Sequence, residues 1–108
     1  MNELILSVLA LSITSGLTSD QWHSVGEITC LEMVEELAIV EAKAQHYYVT
    51  PSFLGNLRGY AKQSCHTRTE GIENPLSYLA YTEVMADSLP TFAKSLIASA
   101  LETNTHKL

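Results

Sequence analysis

The chain has no Asn-Gly or Asp-Gly pair and no sustained alternation of apolar and polar residues, so the two strongest signals for β-hairpins are missing. It has no Cys-x-x-Cys, no His-x-x-x-His and no glycine-rich phosphate loop, which removes the usual sequence support for zinc, redox and nucleotide chemistry. Bases are scarce: six Lys and Arg stand against twelve Asp and Glu, for a formal net charge of −6. Nucleic-acid binding needs a basic footprint, and this chain lacks one. No apolar run reaches the eighteen or so residues that a membrane-spanning helix requires. Catalytic, cofactor-binding and metal-binding residues are therefore expected to be absent, and the protein is read as a non-enzyme.

What is present points to helices. With 108 residues and a 46% hydrophobic share, the chain can bury one modest core. Thr50-Pro51, Asn74-Pro75 and, less cleanly, Ser88-Leu89-Pro90 each set a capping side chain at or near a proline. Proline suits the first helical position because its missing N–H would be unpaired there in any case. The expected helices cover about 20–47, 51–65, 75–87 and 90–103, with a further one at 3–17 if that segment is retained. The fold class is all-α: a small bundle of four helices after an N-terminal hydrophobic segment. Residues 1–18 form one unit and residues 19–108 a single helical domain.

The run from Leu4 to Thr14 has the length of a signal-peptide h-region. It carries Glu3 and no preceding base, and its small residues at Thr14, Gly16 and Thr18 make an imperfect cleavage site. Three readings follow: a cleaved export signal, a weak membrane anchor, or a first core helix.

Cys30 and Cys65 are the only cysteines, and an even count in a short exported chain usually signals a disulfide. Each lies on an apolar stripe: Cys30 with Val34, Leu37, Ala44 and Tyr48, and Cys65 with Leu54, Leu57 and Ala61. The short Val49-Thr50 link folds the two helices antiparallel. Counted from Val49, Cys30 then lies nineteen residues back and Cys65 sixteen ahead. An offset of three residues is about 4.5 Å along a helix, which modest tilt absorbs. A Cys30–Cys65 disulfide is expected, with two buried free thiols in a cytosolic protein as the alternative.

The same count from the link places Glu41 and Arg58 at one level as an expected ion pair, with both side chains reaching water as the alternative. Trp22, Tyr47 and Tyr48 are candidate interface aromatics; the competing reading puts Tyr48 in the core and Trp22 over the end of the bundle. Cys65-His66 would make a weak thiol nucleophile, which a disulfide excludes. His23, His46, His66 and His106 read as surface histidines, and Glu32, Glu35 and Glu36 as a solvated acidic face. The stretch 66–73 is the longest polar connection.

The segments ITCLEMVEEL and TPSFLGNLRGYAKQSC, followed by NPLSYL after a short apolar leader, resemble the small helical periplasmic acid-stress chaperones of the HdeA/HdeB type. The resemblance covers about residues 22–80. It implies a cleaved leader, an all-helical fold stapled by one disulfide through Cys30 and Cys65, and protein binding unmasked by low pH. Taken together, the sequence predicts a small periplasmic or secreted protein that binds another protein as a chaperone, inhibitor or immunity-type factor, with a homodimer as a further arrangement. The alternative is an inner-membrane-associated regulator, such as a phage lysis regulator, that keeps residues 1–18 as a weak anchor; a cytoplasmic helical subunit is the third reading.

Overall fold

The computed structural model describes residues 16–104. Residues 1–15 lie outside them, and with these most of the expected leader. Among the described residues the chain forms three α-helices and no strand: α1 (Ser19–Ala44), α2 (Pro51–Arg68) and α3 (Pro75–Glu102). Each helix packs against the other two. The start of α1 meets the start of α3 through Thr29 and Tyr78, and the start of α2 meets the residue capping the end of α3 through Asn56 and Thr103. The bundle therefore runs up, down, up.

Every helix start is chemically marked. Thr18 and Gln21 form a reciprocal capping box on α1, Thr50 accepts from the Phe53 N–H on α2, and Asn74 pairs with Ser77 on α3. These contacts satisfy N–H groups that have no partner within the helix. Pro51 and Pro75 take first-turn positions, as the sequence predicts.

The end of α1 is less legible. His46 adopts φ 61°, its N–H bonds Lys43 O at 3.1 Å, and the Tyr47 N–H bonds Ala42 O at 2.8 Å. This is a Schellman turn, made here without the glycine that usually announces it. It stops α1 at Ala44 and makes the link six residues long, 45–50, instead of two.

Two of the expected helices are one. Pro90 lies inside α3, not at the start of a fourth helix. An interior proline loses one hydrogen bond and crowds the preceding turn, a cost of about 3 kcal/mol. Core contacts on both sides offset that cost: Tyr78 and Met85 before Pro90, and Ala93, Ile97, Ala100 and Leu101 after it, are all buried. Replacing Pro90 by Ala is accordingly expected to raise stability by about 1–2 kcal/mol, the helical gain less the lost restriction of the unfolded chain. Urea unfolding measures this. A fall in stability would mean that the proline begins a separate helix.

The core is built largely of small residues. Cys30, Ala38, Ala42, Ala61, Cys65, Ala93 and Ala100 are fully buried, with Val34, Phe53, Leu57, Met85, Ile97 and Leu101 filling the space between helices. On α1 the buried positions Cys30, Val34, Ala38 and Ala42 recur every four residues. At 100° per residue such a stripe drifts by about 40° at each step, so it winds around the helix. That drift leaves Ala44 at the surface, and Tyr48, expected on the same stripe, is exposed because it lies in the link beyond the end of α1.

Candidate functional site

Cys30 and Cys65 are joined by a disulfide with Cα atoms 5.7 Å apart. Cys30 lies fourteen residues before the end of α1, and Cys65 fourteen after the start of α2. The two cysteines are thus level, which is why the pairing survives an incorrect estimate of the link. The bond excludes the thiol-nucleophile reading of Cys65-His66.

The Glu41–Arg58 pair is corrected by the same count. Glu41 lies three residues from the end of α1 and Arg58 seven from the start of α2, so they sit at different levels. Arg58 instead donates to Glu35, and that carboxylate raises the guanidinium pKa, through the hydrogen bond first and charge second. Glu41 accepts from the Gln45 side chain at 3.2 Å and lines a groove of ≈ 300 Å³ with Leu37, Pro90 and Lys94.

The aromatic candidates separate. Trp22 is 2% exposed and cannot anchor a partner. Its ring lies 5.7 Å from that of Tyr78, in a small second core completed by Ile72 from the connection between α2 and α3. Gly26 makes this close approach feasible: a Cβ there would run into Ile72 Cδ1. Tyr78, fully buried, bonds the Thr29 hydroxyl at 3.0 Å, and Thr29 in turn donates to Val25 O. Tyr48 is 56% exposed, while Tyr47 is half-buried against the main core.

An exposed apolar surface lies on α3: Leu76, Leu79, Ala80 and Val84 have the spacing of a buried helix face, yet Leu76 is 77% and Val84 67% exposed. Leu76, Ala80 and Val84 recur every four residues and make an apolar ridge. Beside it runs a cleft lined by Arg68, Ile72, Ser77, Ala80, Tyr81 and Val84. The Tyr81 hydroxyl in this region is buried without a hydrogen-bond partner. Burial pushes its phenol above the ordinary tyrosine range, partly countered by Arg68, so it remains a protonated donor. A buried donor left unpaired costs about 1–3 kcal/mol. Arg68 is held over the Phe92 ring at 4.1 Å.

A second cluster joins α1 to α2. His23 and Glu27 are one turn apart on α1, and the Glu27 Oε1 lies 3.3 Å from His23 Nε2 and 3.0 Å from His66 Nδ1. His23 Nε2 also donates to the His66 carbonyl at 3.2 Å, near the end of α2. There the last carbonyls of a helix lack internal partners and favour cationic neighbours. Of the acidic residues Glu32, Glu35 and Glu36, Glu36 is exposed, while Glu35 is turned to Arg58. His46 lies at the opposite end of α1, and His106 falls outside the described residues.

No helix among the described residues is long and apolar enough to cross a membrane. No protein-family profile, curated protein sequence or solved structure matches the chain.

Proposed function

We propose that the protein is a small non-catalytic module that binds another protein through the α3 ridge and its cleft. The observation that carries this reading is the ridge itself: Leu76 and Val84 are among the most exposed large apolar side chains, and Ala80, Val84 and Arg68 line the cleft beside it. Aliphatic side chains of a partner would seat on the ridge, and a carbonyl or carboxylate oxygen would accept from Arg68. Such a pairing is favourable because it removes apolar area from water.

The Cys30–Cys65 bond supports an oxidising compartment, in keeping with an exported protein. Within this reading a chaperone, an inhibitor and an immunity-type factor differ in their response to pH. A chaperone of the acid-stress kind would bind hydrophobic dye on acidification, whereas an inhibitor or immunity factor would hold a defined complex at neutral pH.

The test is complex formation by Val84→Glu beside Val40→Glu, the same substitution at a similarly exposed position on α1. Val84→Glu is expected to weaken a complex recovered from the native host by about 30-fold or more, the scale of a hot-spot loss. Val40→Glu should leave it intact. Equal binding by wild type and Val84→Glu would remove the ridge from the account. Sedimentation of the isolated chain shows whether a second copy occupies the same ridge.

A further inference from the structure

The geometry points to a Zn²⁺ site formed by His23, Glu27 and His66, with a fourth position open to water. Each side chain offers one ligand atom, and the three atoms lie within 4.8 Å of one another. A tetrahedral zinc with ligands at about 2.0–2.1 Å places neighbouring ligand atoms about 3.3 Å apart. The Glu27–His23 and Glu27–His66 separations, 3.3 and 3.0 Å, already have that span. Only the histidine–histidine edge must close, by small rotations of rings whose centroids stand 4.8 Å apart.

The positions are held by the fold. Glu27 lies three residues before Cys30, and His66 directly follows Cys65, so the disulfide fixes the register of both backbones beside the cluster. Two imidazoles and one carboxylate suit zinc better than magnesium or calcium, which prefer all-oxygen shells. An open cleft of ≈ 310 Å³ lined by Glu27, Gly59, Lys62, Gln63 and His66 adjoins the cluster and provides room for the fourth ligand. Lys62 is the one like charge lining that cleft, and it opposes the cation unless its flexible stem turns to water. Arg68 on α2 is held over Phe92 and beside Ser64.

Proton balance is simple. Without metal, His23 Nε2–H donates to the His66 carbonyl, and His66 Nδ1 bonds Glu27. On coordination a neutral ring moves its proton to its other nitrogen, and a protonated ring releases one. Binding therefore weakens on acidification. This site is independent of the α3 ridge, and either can fail without the other.

The test is calorimetric titration of tag-free, disulfide-bonded protein with ZnCl₂, repeated on Glu27→Gln, His66→Ala and, as a control, His46→Ala. One Zn²⁺ per chain is expected, with affinity reduced by about tenfold or more in the first two variants and unchanged in the third. Co²⁺ added to the unmutated protein should give the strong visible bands of a four-coordinate ion, a readout that does not depend on any variant folding. No saturable Zn²⁺ binding, the pale spectrum of six-coordinate cobalt, or full affinity in folded Glu27→Gln and His66→Ala would overturn the site. The three groups would then serve only to cap α2.

Discussion

Replacing both Cys30 and Cys65 by Ser is expected to lower stability by about 3–4 kcal/mol, because the bond closes a loop with a sequence separation of 35. For a domain of this size that corresponds to a fall of roughly 15–30 °C in melting temperature. The effect should be large for two reasons. The unfolded chain regains the entropy that the cross-link removed, and both sulfurs are fully buried, so hydroxyls put in their place would sit in an apolar core. Melting followed by circular dichroism, with and without reductant on the wild type, separates the two. Reduction alone reports the cross-link, and the double variant adds the polar burial. A loss under about 1 kcal/mol in both would show that the helix contacts hold the register unaided.

Phe53→Ala should be as damaging, at about 3–5 kcal/mol, for a different reason. Phe53 is 1% exposed and sits in the first turn of α2, where its N–H bonds the Thr50 cap. The main core it belongs to is rich in small side chains, Ala38, Ala42, Ala61 and Ala93 among them, which offer little volume to refill the space a removed ring would leave. Leu76→Ala, which removes an exposed leucine from the ridge, is expected to change stability by no more than about 0.5 kcal/mol. Urea unfolding of the two variants side by side tests the division between core and surface on which the functional reading depends. A Leu76 loss comparable to that of Phe53 would place the ridge in the core and leave the protein without its candidate docking face.

Local chemistry was readable where a residue type has one structural use. Thr50-Pro51 and Asn74-Pro75 start helices because proline and a capping oxygen leave few alternatives, and two cysteines on level stripes find each other. At Pro90 the same local rule is overridden by packing: buried residues on both sides of it, Tyr78 and Met85 before and Ala93 to Leu101 after, outweigh one lost hydrogen bond. His46 misled because a left-handed turn normally takes glycine or asparagine, so nothing marked the end of α1. That single turn lengthened the link and moved Glu41 away from Arg58 while leaving the cysteines level.

Burial was the harder inference. Leu76, Leu79 and Val84 have core-like spacing, but α3 has only two neighbours, and its third face meets no other described helix. Trp22 shows the reverse: a residue type typical of interfaces is covered by Ile72 from the connection after α2. The His23–Glu27–His66 cluster was half visible, since the first two residues are one turn apart on a helix. Its third member comes from another helix, and only the register set by the disulfide brings it near. Given Cys30 opposite Cys65, Glu27 and His66 follow as neighbours, so the signal was present once the bond was accepted.

Everything rests on α1 and α2 being locked side by side through their sulfurs. Peptide mapping of the protein purified from its native host without reductant, with free thiols alkylated first, tests this directly. The account predicts one linked pair of fragments containing Cys30 and Cys65, two hydrogens lighter than the separate peptides. Recovery of both cysteines as alkylated, unlinked peptides would contradict it.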